Sequence, residues 1–324
     1  MASVLTGMNA RIVTTATLFT AFAGVLTGNA ADSQLLGLVM PDAKMLAGVN
    51  VDQAKASPFG LYVLTQMQAG NSGMKELIAL TGFDPTRDVH ELLAASSATQ
   101  GSKTPTGLAL VRGNFDVATI TNLATSKGAA SEVYGGVTIL EDPKKQAGLA
   151  FLDPTLAVAG DLASVKGAID RPSSGQSLPA AVIAQVNHWS NIEDAWFLTT
   201  VPPSSLTGSS ALAGNAAGLL QQVQRAAGGV KFGNSVVATA AIETDTAQNA
   251  TQMANAFQFL VNMMQMQSGQ NSQQIAALAQ GLAVTAAATT VNISLSLPQA
   301  QFQQLLQQLQ QKKPAVPAVG VKKQ

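Results

Sequence analysis

Thr106 to Gly128 reads TGLALVRGNFDVATITNLATSKG. An apolar run, Leu108 to Val111, is followed by a turn at Gly113 and Asn114, and a helix opens at Asp116. The same grammar returns at Ser235 to Leu260, SVVATAAIETDTAQNATQMANAFQFL, where the run is Val236 to Ile242 and Asp245 opens the helix. Each Asp stands two residues before an Ala, after strand-like runs of similar length. Two copies of one strand-turn-helix unit predict an α+β fold of two similar halves, each with a mainly antiparallel sheet and helices packed on one face.

Composition bounds the rest. A chain of 324 residues, 47% hydrophobic, is long enough for one large domain or two ordinary ones. Charged residues make up only 11%, against roughly 25% in an average soluble protein, so Gln, Asn, Ser, Thr and Ala must cover much of the surface. The 18 basic and 18 acidic residues cancel, and no basic run exceeds a Lys-Lys pair. That lacks the electrostatic footprint of a nucleic-acid binder. Cysteine is absent, which excludes disulfides, thiolate metal sites, a cysteine nucleophile and a lipid-bearing cysteine.

The N-terminus reads as an export signal over residues 1–30. Arg11 precedes an apolar stretch from Ile12 to Leu26, and small residues at Gly28 and Ala30 suit cleavage after Ala30. Met8-Asn9-Ala10-Arg11 makes a more ordinary start than the seven uncharged residues before it. The apolar core falls short of the ~20 residues that span a bilayer, and no later segment reads as transmembrane. The expectation is a periplasmic or secreted protein, not an integral membrane protein once the signal is removed.

Along the chain, strands are expected at Met45–Val51, Val89–Ser96, residues 106–113, Glu132–Tyr134, Val137–Glu141, Gly148–Leu152, Leu156–Ala159, Ala195–Val201, Val236–Ile242 and Thr290–Leu297. Gly135-Gly136 and Asp153-Pro154 mark hairpin turns. Helices are expected at Ser33–Met40, Phe59–Met67, Met74–Leu80, residues 116–127, Ala163–Ile169, Leu178–Val186, Ala211–Ala227, from Thr246, at Ser272–Gln280 and at Pro298–Gln311. The first half thus spells β-α-β-β-α-β, the ferredoxin-like order. Arg171 to Gly175, polar with Pro and Gly, marks the boundary between a first half at 31–172 and a second at 173–311. The tail, 312–324, has no apolar stripe to bury and is expected to be disordered.

Leu38-Val39-Met40-Pro41-Asp42-Ala43-Lys44 with Ala47-Gly48-Val49-Asn50-Val51, then Ser57-Pro58-Phe59-Gly60, resembles the opening of a family of uncharacterised exported bacterial proteins. Gly82-Phe83-Asp84-Pro85 with Asp88, and Tyr134-Gly135-Gly136, fit the same pattern, over roughly Leu35 to Leu206. The resemblance implies export and a duplicated α+β fold. It brings no activity, substrate or catalytic residue.

Chemistry-bearing constellations are sparse. Only His90 and His188 could serve a serine hydrolase as base. Ser72-Gly73-Met74-Lys75 matches Ser-x-x-Lys but lacks its Lys-Thr-Gly partner, since Pro105 follows Lys103-Thr104. Asp84, Asp88, His90 and Glu91 cluster in sequence, yet Asp84-Pro85 reads as a turn cap and Asp88 as the start of the next element. Asp142, Asp153 and Asp161 flank turns, where Asp bonds nearby backbone. Met253, Met263, Met264 and Met266 could offer thioethers to Cu(I), but the apolar stripe Ala250, Met253, Ala254, Phe257, Leu260, Val261, Met264 reads as one buried face. The candidate apolar groove is Met253, Phe257 and Met264; no catalytic residue, metal ligand or cofactor is assigned. The expected function is non-enzymatic binding or interaction in the cell envelope, with an apolar small molecule or an envelope protein as partner. The alternatives are an exported hydrolase with an unrecognised site and an envelope assembly or chaperone-like factor.

Overall fold

In the computed structural model the described residues are 31–69, 72–99, 106–142, 144, 146–205, 221–233, 235–266 and 278–304. The expected signal, the tail from Lys312, residues 211–220 and most of the segment Ser272–Gln280 lie outside them.

Among the described residues, twelve strands form one sheet: β1 (Met45–Asn50), β2 (Val89–Ser96), β3 (Gly107–Gly113), β4 (Ala130–Tyr134), β5 (Val137–Asp142), β6 (Ala147–Asp153), β7 (Leu156–Asp161), β8 (Ala195–Thr199), β9 (Val223–Phe232), β10 (Ser235–Thr244), β11 (Leu282–Ala287) and β12 (Thr290–Pro298). The order across the sheet is β11-β12-β10-β9-β8-β1-β2-β3-β7-β6-β5-β4, and every neighbouring pair is antiparallel. The helices are α1 (Ser33–Gly37), α2 (Val51–Ala54), α3 (Pro58–Ala69), α4 (Ser72–Thr81), α5 (Pro85–Asp88), α6 (Val117–Ser126), α7 (Leu162–Ser174), α8 (Ala180–Ile192) and α9 (Ala247–Met266). Residues 299–304 begin a last helix.

The α+β class is as the sequence predicts, and the topology repeats. Outward from the β1–β8 join, one side runs β1-β2-β3 and the other β8-β9-β10. A helix then leaves the sheet, α6 after β3 and α9 after β10, and a hairpin returns, β4–β5 or β11–β12. The first side also inserts the β6–β7 hairpin between β3 and β5. The chain order β-α-β-β-α-β is present, but the strands meander, so β4 lies at the far edge of the sheet from β1.

Helices cover both faces, where one face was expected. Leu46, Leu93, Leu110 and Leu198 pack with α1, Val165 of α7 and Val186 of α8. Val49, Leu92, Val111 and Ala195 pack on the other side with Val51 and Leu64. Adjacent strand residues such as Leu92 and Leu93 point to opposite faces, so both faces of the central strands are buried. That second face also carries Phe59 of α3, edge-on to Phe232 at 4.9 Å and to Phe302 at 5.3 Å. It continues to α9 over Ile242, Val284 and Val291.

Two further expectations change, and one strand had no expectation at all. Val223 to Ala227, expected as the end of a helix, belongs to β9, which pairs in register with both β8 and β10. Tertiary pairing there overrides the local helix preference of Ala. Leu282–Ala287 forms β11, although its Ala-rich sequence carried no strand signal. Helix α7 runs on through Pro172 to Ser174 and ends at Gly175, whose φ of 65° suits a residue without Cβ.

Candidate functional site

An open cleft of about 380 Å³ lies where β3 leaves the sheet, between the α4–α5 turn and the β6–β7 turn. Three backbone bonds fix its rim: Gly113 N–H donates to Thr155 O, Asn114 N–H to Asp88 O and Phe115 N–H to Pro154 O. Phe115 stacks on Phe83 at 5.6 Å and approaches Phe151 at 5.3 Å, which gives the cleft an aromatic wall. Its polar groups are already engaged. Arg87 donates to Asp88 and to Gly82 O. Asp116 caps α6 by accepting from Thr119 N–H and Oγ1, and these bonds hold its carboxyl below the usual range.

The sequence cluster Asp84, Asp88, His90, Glu91 disperses in space. Asp84 caps α5 through Thr86, and Asp88 takes Arg87 and the Asp84 N–H. Glu91 accepts from Asp32 N–H, and burial raises its carboxyl pKa. His90 has its Nδ1 2.8 Å from Asp52 Oδ2 and its Nε2 2.9 Å from Nδ2 of Asn114, which lines the cleft. With Asn114 donating to Nε2, the Nδ1 proton is directed at Asp52. Partial burial raises the Asp52 carboxyl, but the bonds from His90 and Lys55 outweigh it and leave it below its ordinary value. Both ring nitrogens of His90 therefore have partners, and neither partner is a hydroxyl. His188 is exposed on α8 with its ring edge-on to Trp189.

The groove candidates lie on α9. Met253 is 2% exposed among Val223, Ala250, Val284 and Val291, and Phe257 packs half-buried against the same cluster. The side chain of Met264 lies outside the described residues. Leu260, read as part of the buried stripe, points outward instead. Phe259, Leu260 and Met263 together form an apolar outer face, 63%, 46% and 39% exposed respectively. No residue of α9 is charged, and between Asp245 and Lys312 the chain has no Asp, Glu, Lys, Arg or His. One end of the sheet is thus free of ionisable side chains, in a protein whose 36 charged residues all lie elsewhere.

No family model matches the chain, and no curated protein matches it. Solved structures do. Crystal form III of TP0453, a Treponema protein, superposes with a TM-score of 0.51 at 10% identity, covering 84% of this chain and 97% of that one. Crystal form IV gives 0.51 at 11% identity, covering 86% and 97%. At such identity the likeness is one of fold. Among the described residues, no helix is long and apolar enough to cross a membrane.

Two features escaped the sequence reading. The charge-free stretch was legible as a simple absence of letters. The second feature, Glu193 and Asp194, joins α8 to β8 and is almost fully buried. Glu193 accepts from Thr239 Oγ1, Asp194 Oδ2 accepts from Phe232 N–H at 2.6 Å, and Glu193 Oε2 and Asp194 Oδ1 have no hydrogen-bond partner among the described residues. Burial pushes both carboxyls up, Asp194 to about 7. An acidic pair leading directly into the apolar Ala195-Trp196-Phe197-Leu198 was the available signal.

Proposed function

We propose that this chain is an exported, non-enzymatic interaction protein of the bacterial cell envelope, and that it works through the outer face of α9. The observation that carries the reading is the exposure of Phe259, Leu260 and Met263 on a twenty-residue helix without a charge. Exposed apolar patches of this kind mark contact sites, because leaving them in water forgoes burial worth roughly 25 cal/mol per Å². The signal-like N-terminus supports export. A hydrolase finds less support, since His90 holds Asp52 and Asn114 and no nucleophile.

The reading is tested by placing a photo-crosslinking residue at position 259 in the exported full chain, with position 188 as control. Discrete adducts from position 259 alone are expected. Equal adduct patterns from both positions, or recovery of the chain only from the cytoplasm, would overturn it.

A further inference from the structure

We infer that His90 is a proton-operated switch that decides which end of the Asn114 side-chain amide faces the cleft. The inference goes beyond the reading of α9 and does not depend on it. A β-bulge aims the imidazole: β2 pairs Val89 with Gly113 and Glu91 with Arg112 of β3, so His90 is the extra residue between two paired neighbours. Bulges re-aim side chains and recur beside functional sites. Here the ring is delivered between Asp52 of α2, 2.8 Å from Nδ1, and Asn114, 2.9 Å from Nε2. Lys55 Nζ donates to Asp52 Oδ1 at 3.0 Å and also to Val89 O and Arg87 O, which keeps the carboxylate in place beside the ring.

Proton counting then allows Asn114 one arrangement at a time. An ionised carboxylate only accepts, so Asp52 keeps a hydrogen on Nδ1 in either charge state of the ring. In the neutral ring Nε2 is a bare acceptor, met by Asn114 Nδ2–H, and Oδ1 is the amide atom left to the cleft that Asn114 lines. In the imidazolium Nε2 carries a hydrogen, and two donors would oppose each other. The amide then turns about χ2 to offer Oδ1 to the ring, and Nδ2 faces the cleft. Protonation thus changes this part of the rim from acceptor to donor. The response is confined to the side chain, because the N–H groups of Gly113, Asn114 and Phe115 are held by Thr155 O, Asp88 O and Pro154 O. Asn114 is exposed and its terminal torsion is broad and roughly two-fold, so the turn meets little resistance. The charged groups around the ring are otherwise engaged: Asp52 with Lys55, Arg87 with Asp88, Glu91 with Asp32 N–H, and Asp116 with Thr119.

The test is NMR of the full chain with isotope-labelled asparagine and histidine, between about pH 8 and pH 5, where imidazole ordinarily changes charge. Above the midpoint of the His90 ring, a scalar coupling across the Asn114 Nδ2–H to His90 Nε2 bond is expected. Below it that coupling is lost, and the Asn114 side-chain amide protons shift with the same midpoint as the ring. His90→Gln is expected to hold the Asn114 resonances constant over the range. Asp52→Ala, which lets the neutral ring carry its hydrogen on Nε2, is expected to weaken the coupling above the midpoint. An Asn114 amide that stays still as His90 titrates, that moves at another midpoint, or that still moves in His90→Gln overturns the proposal. A coupling that persists in the imidazolium form, or one that Asp52→Ala leaves at full strength, overturns it too. Adducts from position 259 are unaffected by any of these outcomes, so the α9 reading stands or falls separately.

Discussion

Gly48 of β1 and Trp196 of β8 meet at the seam where the two sides of the sheet join, and a Cβ on Gly48 would stand 2.6 Å from the indole Cε2 and Cζ2. The missing side chain is what lets a buried tryptophan lie flat across the central pair. Gly48→Ala is expected to cost about 1–3 kcal/mol, the range for overpacking a filled core. Urea unfolding followed by fluorescence of the two tryptophans checks it. Adding Trp196→Phe should restore part of the loss, and strict additivity of the two changes would show that the contact is not the cause.

Local pattern carried much of the fold. Strand β2 is Val89–Ser96 as its apolar run predicts, and Gly135 and Gly136 both take positive φ in the β4–β5 turn. The failures share one physical origin, which is that long-range pairing is invisible in a local window. Strand β9 is a strand because β8 and β10 flank it, not because Ala226, Ala227 and Gly228 favour extension. Burial on both faces did leave a trace, since Leu156 to Gly160 is buried at every position and shows no alternation. On α9, spacing placed Met253 and Phe257 on the inner side, where they are buried and half-buried, but it also counted Leu260 in the stripe, and Leu260 is exposed.

Asp194 makes stability depend on pH in an unusual direction. Its folded pKa of about 7 lies above the ~3.9 of a free aspartate, so the folded chain keeps a proton that the unfolded chain releases. The associated stability is full below the unfolded pKa and is lost as pH rises toward and through 7, with a slope of at most about 1.4 kcal/mol per pH unit. Glu193, also raised by burial, adds in the same direction. Wild type should therefore unfold at lower urea at pH 8 than at pH 5. Asp194→Asn, which keeps an acceptor for Phe232 N–H, should flatten that difference; an unchanged pH dependence would remove Asp194 as its source.

Asp161 ties two elements with one carboxylate. Its Oδ1 accepts from Ser164 N–H at the start of α7, and its Oδ2 accepts from Gly107 N–H at the start of β3, each at 2.9 Å. Losing an N-cap and a second backbone bond together is expected to cost about 1–2 kcal/mol in Asp161→Ala. Asp161→Asn should lose less, because its amide oxygen can still cap α7. Chemical denaturation of the two variants separates them, and equal losses would mean that the cap is not the main contribution.

Met253 and Met263 lie on one helix in opposite circumstances, so substituting each asks what the helix is for. Met253 is enclosed by Val223, Ala250, Val284 and Val291, and Met253→Ala removes those contacts and leaves a cavity. The expected loss is about 2–5 kcal/mol. Met263 is 39% exposed, and Met263→Ala should change stability by no more than about 0.5 kcal/mol. Adduct formation from position 259 should respond in the reverse order: Met263→Ala weakens it with the fold intact, while Met253→Ala weakens it only as far as the fold loosens. Thermal melts and crosslinking on the same variants distinguish the two effects. A stable Met253→Ala variant that gains affinity for small apolar molecules would instead make the inner side of α9, with Phe257, a ligand site.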